Sequence, residues 1–173
     1  EAVALAPTSQ VMLLTGGPGT GKTTSLRGVL ALFEELGLET ALAAPTGRAA
    51  KRLGELCGAE GYTIHRLLET QYDPHSGRLV FAHDEEDPLK ADAVIVDETS
   101  MVDIVLMRGL LSALRPDCRL ILVGDPDQLP SVGAGNLFSD LIRSGVVPMV
   151  RLTEIFRQAA ESAIVRNAHG VNR

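Results

Sequence analysis

Apolar positions along this chain follow two periods, and the two take turns. Short, nearly continuous apolar runs at residues 11–15, 39–43, 93–96, 120–123 and 148–152 read as strands buried on both faces. Between them, residues 21–36, 47–56, 63–69, 104–114, 136–144 and 161–168 carry apolar side chains at helical spacing. Strands alternating with helices predict parallel pairing with right-handed crossovers. The expected fold class is α/β, a mainly parallel sheet with helices on both faces. Such sheets bind ligands beyond the carboxyl ends of their strands. Residues 71–90 break the alternation, being polar and turn-rich. There Asp73-Pro74-His75-Ser76-Gly77 is dense in turn residues and Leu79-Val80-Phe81 is a short β-prone run. Residues 71–88 therefore read as a small β-hairpin insertion with its tip near residues 74–77.

The first apolar run leads into Gly16-Gly17-Pro18-Gly19-Thr20-Gly21-Lys22-Thr23-Thr24, and a helical pattern follows. A G-x-x-x-x-G-K-[ST] stretch between strand and helix is a phosphate-binding loop. Its glycines let the backbone curl so that several N–H groups point at phosphate oxygens, and the helix N-terminus adds its positive dipole end. Lys22 is expected to reach the β- and γ-phosphates, and the Thr23 hydroxyl to ligate Mg²⁺. Residues 16–24 are the expected ATP-binding segment.

Three later segments place polar residues at strand ends, where this site would lie. Asp97 and Glu98 follow the apolar residues 93–96. The first acid is suited to hold Mg²⁺, and the second to orient or deprotonate the water that attacks the γ-phosphate. An acid pair after an apolar run is by itself a common strand terminus; paired with the phosphate loop it points to hydrolysis. Gln128 emerges in Gly124-Asp125-Pro126-Asp127-Gln128-Leu129-Pro130. This is either a surface turn or an amide that senses the γ-phosphate, and the second reading is preferred. Arg157, after the last strand, is a candidate arginine finger.

Charge bears on partners. The 173 residues carry a formal net charge of −6, which argues against a broadly basic nucleic-acid face. Distribution tempers this: Arg48, Lys51, Arg52 and Arg66 cluster within residues 47–67, whereas the acids concentrate at residues 84–87. Around Pro45, Thr46 and Arg48 two readings stand equal. One is a capped helix start with Arg48 and Arg52 on an exposed face; the other is contact with a nucleic-acid backbone. His65, taken alone, is more often a packed or capping histidine than a ligand. No apolar run is long enough to span a membrane. Cys57 and Cys118 lack metal-ligand spacing and read as small buried hydrophobes in a reducing, cytoplasmic setting.

Taken together and in order, these blocks resemble a superfamily 1 helicase of the RecD-like 1B branch. Residues 16–23 resemble its motif I, 44–53 motif Ia, 63–68 motif Ib, 96–103 motif II, 123–133 motif III and 152–159 motif IV. The resemblance implies a RecA-like domain, an ATP-hydrolysing enzyme that moves 5′-to-3′ on single-stranded DNA, and duplex unwinding. It implies ATPase roles for Lys22, Thr23, Asp97, Glu98, Gln128 and Arg157. It turns Pro45, Thr46, Arg48 and His65 toward DNA and makes the hairpin a pin at single/double-strand junctions. It further implies an adenine-reading glutamine upstream, a position Gln10 fills poorly, and a second RecA-like domain beyond residue 173. The alternative in the same class is a P-loop ATPase switch in DNA repair without unwinding activity. A regulatory nucleotide-binding module would not need Glu98.

Overall fold

In the computed structural model, residues 1–75, 77–128 and 131–154 are described. The strands are β1 (Val11–Gly16), β2 (Thr40–Ala44), β3 (Gly61–Thr63), β4 (Gln71–Asp73), β5 (Arg78–Val80), β6 (Ala93–Val96), β7 (Arg119–Gly124) and β8 (Met149–Leu152). Six of them form one sheet in the order β3-β2-β6-β7-β1-β8, with every pairing parallel. The helices are α1 (Ala2–Leu5), α2 (Lys22–Glu35), α3 (Gly47–Cys57), α4 (Ile64–Leu67), α5 (Ile104–Ser112) and α6 (Leu137–Ser144).

The continuous apolar runs arise because side chains on alternate sides of each strand feed two separate cores. Leu13, Val94, Val96, Leu120 and Leu122 join one core, with Ile64 of α4, Met107 and Leu110 of α5 and Phe138 of α6. Their neighbours Met12, Leu14, Ile95, Ile121 and Val123 join the other, with Leu26, Val29 and Phe33 of α2 and Leu53 of α3. Each large side chain so buried contributes roughly 1.5–3 kcal/mol. Slipping a strand by one residue would exchange its two faces between cores of different shape, so the register is well specified. This is the RecA-like P-loop architecture that the sequence implied.

At the amino end of the sheet the strands are tied by a polar contact. Asp92 accepts a hydrogen bond from the Glu39 backbone N–H at 2.8 Å and pairs with Arg115 at 2.6 Å. The backbone donor and, after it, the guanidinium hold the Asp92 carboxyl below the usual carboxylate range. The opposite, carboxyl end carries the loops of interest.

Three elements differ from the sequence expectation, the first being the short helix α1, which no helical pattern announced. The edge strand β3 has no apolar run to announce it; it pairs with β2, setting Ala44 opposite Thr63. It packs so closely under α3 that a Cβ on Gly61 would lie 2.1 Å from the Ala50 carbonyl oxygen. The helix expected over 63–69 shrinks to α4, because Thr63 ends the strand and caps the helix, accepting from the Arg66 N–H at 3.1 Å. The expected helix at 161–168 lies outside the described residues.

The interrupting segment contains an antiparallel ribbon in which Gln71 pairs with Val80, Tyr72 with Leu79 and Asp73 with Arg78. Tyr72, Leu79 and Val80 are 66%, 61% and 44% exposed. Phe81 instead turns inward, packing on the first core against α5 at Gly109. The Ala82 N–H then donates to the Leu68 carbonyl at 3.0 Å, which ties the ribbon base to the end of α4.

Candidate functional site

Parallel strands bring the loops after β1, β2, β6 and β7 to one edge. There a cleft of about 440 Å³ is lined by residues 17–23, Arg52, Leu53, Leu56, Asp97, Glu98, Gly124, Asp125 and Gln128. The loop after β1 folds tightly. A Cβ on Gly16 would lie 2.5 Å from Thr20 Oγ1 and 2.8 Å from the Leu152 carbonyl oxygen. Thr20 Oγ1 donates to the Gly17 carbonyl at 2.8 Å. Gly21, at φ 87°, supplies the left-handed turn that starts α2. Lys22 follows, its Nζ donating to the carbonyls of Gly16 and Gly17, the latter at 3.0 Å. Thr23 lines the cleft, whereas Thr24 is exposed on α2 and does not.

Opposite charges line this cleft, Lys22 and Arg52 with Asp97, Glu98 and Asp125. Burial pushes the Lys22 ammonium below the usual lysine range, and the Asp125 and Asp97 carboxylates oppose that shift. Burial pushes the Asp97 carboxyl up, opposed by the Glu98 N–H and by the positive charges of Lys22 and Arg52. Glu98 N–H donates to Asp97 Oδ1 at 2.8 Å. Glu98 itself sits at φ 52°, a left-handed conformation that costs a non-glycine residue on the order of 1–3 kcal/mol. The turn is held by what surrounds it. The buried Thr99 hydroxyl donates to the Val96 carbonyl at 3.0 Å, and the Met101 N–H to the Glu98 carbonyl at 3.0 Å. Strain kept in place by a buried hydrogen bond is common where a side chain must be aimed.

Gln128 is set by Asp125, a residue the sequence reading passed over as part of a turn. Asp125 is buried; its Oδ1 accepts from the Asp127 N–H at 3.1 Å, and its carbonyl from the Gln128 N–H at 3.1 Å. An aspartate two residues before a backbone donor is an Asx-turn signal, which could have flagged it. Gln10 is turned away at the amino end of the sheet, its side chain donating to the Pro116 carbonyl. Arg157 lies outside the described residues.

The hard oxygen donors Thr23 and Asp97 suit Mg²⁺, which is usually held by one or two protein ligands plus substrate phosphates. Asp97 is moreover a half-buried carboxylate whose desolvation a cation would offset. Among the described residues no cluster of three or more His, Cys, Asp or Glu side chains suggests a metal cage.

Pro45 and Thr46 follow β2, Arg48 lies in the first turn of α3 and His65 on α4 directly after β3, and β2 and β3 are neighbouring strands. Thr46 caps α3, its hydroxyl oxygen accepting from the Ala49 N–H at 3.2 Å. Thr46, Arg48 and His65 are exposed and Pro45 is half-buried. His65 lines a groove with Tyr62, Arg66, Thr70 and Lys90. The Arg66 guanidinium lies 5.2 Å from the Tyr62 ring centroid, a cation–π contact, and also pairs with Glu60 at 3.7 Å.

Comparison with known proteins gives the chain's family and relatives. A family model described as an AAA domain matches residues 1–134. The ATP-dependent RecD2 DNA helicase of Deinococcus radiodurans is 47% identical over 162 residues, which cover 94% of this chain and 22% of that protein. The RecBCD enzyme subunit RecD of Mycolicibacterium smegmatis is 45% identical over 153 residues, 75% of this chain and 27% of the relative. Among solved structures, the Pif1 helicase from Candida albicans superposes with a TM-score of 0.66 at 26% identity, covering 92% of this chain and 39% of that one. The chain thus spans between 22% and 27% of the length of these two sequence relatives.

Asp97 generates a stability prediction. Its folded-state pKa is raised, so the folded chain takes up a proton at a pH where the unfolded chain has not. Stability should therefore rise as pH falls from the folded pKa toward the unfolded one, and the ionised form is a burden above that window. Asp97→Asn keeps the acceptor for Glu98 N–H and removes the charge. In the absence of nucleotide it should stabilise the protein by roughly 0.5–2 kcal/mol at neutral pH. The gain should shrink as pH is lowered through the window. Urea unfolding at several pH values checks both.

Proposed function

The chain belongs to the AAA domain family, and on that premise we propose that it is the nucleotide-hydrolysing motor domain of a DNA helicase. It binds Mg-ATP and drives 5′-to-3′ movement along single-stranded DNA, with unwinding at single/double-strand junctions. The observation that supports this most is the single cleft shared by Lys22, Asp97, Glu98 and Gln128. A fold that only bound nucleotide would have no use for an acid held in a strained turn beside the phosphate loop.

In this reading Lys22 and the N–H groups of the loop hold the phosphates, and Thr23 and Asp97 hold Mg²⁺. Mg-ATP, when bound, supplies the electrophilic γ-phosphate and the metal charge that offsets developing negative charge. Glu98 orients the water and accepts its proton. Gln128, on a turn fixed by Asp125, carries the state of the γ-phosphate toward the rest of the motor. Arg157 is the candidate finger, a role worth roughly 10³–10⁵ in rate. Pro45, Thr46, Arg48 and His65 track the DNA backbone. A second RecA-like domain closes the ATP site, in keeping with the far longer relatives. Cys57 and Cys118 are both free thiols, which suits a cytoplasmic enzyme.

The ribbon of β4 and β5 is the proposed pin. Its exposed Tyr72, Leu79 and Val80 offer an apolar wedge to an opening duplex. The acidic run beside it, where Asp84 Oδ1 accepts from the Glu86 and Asp87 N–H groups at 2.9 and 3.2 Å, repels phosphates. The pin therefore splits strands by steric exclusion.

Two experiments on the full-length protein test this function. Glu98→Gln should bind ATP with near-normal affinity while turnover falls roughly 10²–10⁴-fold, the range for loss of a general base; Lys22→Ala should lose ATP binding itself. Equilibrium nucleotide binding and steady-state ATPase separate the two, and normal turnover in Glu98→Gln would refute the assignment. Replacing residues 72–80 by a short Gly-Ser linker, with Phe81 kept in the core, should abolish strand separation while DNA-stimulated ATPase largely survives. A gel-based unwinding assay run beside the ATPase assay decides it, and equal loss of both would exclude a pin.

A further inference from the structure

Arg52 lies one turn beyond Arg48 on α3, and the sequence groups the two together. The fold separates them. Four residues along a helix advance about 6 Å, and Arg52 lines the nucleotide cleft, which Arg48 does not. We propose that Arg52 is a second phosphate-binding cation of this cleft, holding the terminal phosphate of ATP opposite Lys22. The inference rests on the reading of the cleft as an ATP site.

Three observations carry it. First, α3 follows β2, the sheet neighbour of β6, and Arg52 lines the same cleft as Asp97 and Glu98 at the end of β6. Arg52 is close enough to Asp97 for its charge to favour the ionised carboxylate. Second, among the described residues Arg52 makes no ion pair, whereas Lys51 beside it pairs with Glu55 at 3.9 Å. Its guanidinium is exposed into a cleft whose other wall is the phosphate loop. Third, the charged side chains lining the cleft are Lys22 and Arg52 against Asp97, Glu98 and Asp125. Among the lining side chains Lys22 would otherwise stand alone against three carboxylates, of which a metal ion on Asp97 would offset only part. A second cation on the Asp97 side offsets that repulsion where it is greatest. The planar guanidinium fork suits two oxygens of one phosphate. Leu53 and Leu56 on the same stretch of α3 form an apolar wall, which strengthens charge interactions beside it.

Because Arg52 is placed on the Asp97 side, it should distinguish ATP from ADP. The test uses the full-length protein, a fluorescent non-hydrolysable ATP analogue, fluorescent ADP and a labelled single-stranded oligonucleotide. Arg52→Ala should weaken the ATP analogue about tenfold or more, the scale of a lost charge-assisted hydrogen bond. It should leave ADP and nucleotide-free DNA affinity within about twofold, and Arg52→Lys should recover part of the loss. Thermal melting of both variants should match the parent, since the side chain is exposed. Equal loss for ADP and the analogue, or no loss for either, would overturn the proposal. Loss confined to the oligonucleotide would also overturn it and return Arg52 to the DNA face. Lys22→Ala is measured alongside. If it too leaves nucleotide binding intact, the ATP-site reading itself fails; if it abolishes binding while Arg52→Ala does not, only the Arg52 assignment falls.

Discussion

All six strands of the main sheet run the same way, and almost everything functional in this molecule follows from that constraint. Parallel strands need crossover helices, so both faces are covered and the interior divides into two apolar cores. The polar loops are then forced to the two ends. At the carboxyl end the first turn of each crossover exposes backbone N–H groups and capping side chains. The phosphate loop, Asp97-Glu98, the Asp125–Gln128 turn and the capped starts of α3 and α4 therefore share one rim without any long loop bringing them together.

That rim is held at some expense of stability. Lys22 and Asp97 are half-buried and Asp125 is buried, and desolvation outweighs the opposing charges at both Lys22 and Asp97. Glu98 adds a strained backbone. The stabilising contributions lie elsewhere, in the two cores and in contacts such as Asp92 with Arg115 at the opposite end of the sheet. In the proposed motor, a site whose charges are satisfied by ligand rather than by each other would favour cycling through nucleotide states. Helix α3 spans this division of labour: Thr46 and Arg48 start it on the proposed DNA side, and Arg52, Leu53 and Leu56 meet the nucleotide cleft.

Much of this was legible in the sequence because buried parallel strands leave an unambiguous trace. Residues 93–96 are apolar at every position because Val94 and Val96 serve one core and Ala93 and Ile95 the other. The phosphate loop is legible because Gly16 has no room for a Cβ and Gly19 and Gly21 adopt positive φ. What the sequence hid was decided by tertiary packing. Gly61-Tyr62-Thr63 is half-buried, short and without apolar periodicity, and becomes a strand because α3 fits over Gly61. Phe81 continues an apolar run but leaves the ribbon, since its ring fills the space over Gly109. Arg52 shares a helical face with Arg48, and only the packing of α3 beside α2 and β2 assigns it to a different ligand. Asp125 was readable as a turn former, though not as a charge facing Lys22.

The account rests on one cleft serving Lys22, Thr23, Asp97, Glu98 and Gln128 together. A crystal structure with Mg²⁺ and a non-hydrolysable ATP analogue tests that most directly. The terminal phosphate should lie within hydrogen-bond reach of Lys22 Nζ, the metal on Thr23 Oγ1 and the Asp97 side, and a water between Glu98 and the phosphate. A triphosphate seated elsewhere, or one bound here with Asp97 and Glu98 remote from its terminal phosphate, would contradict the account.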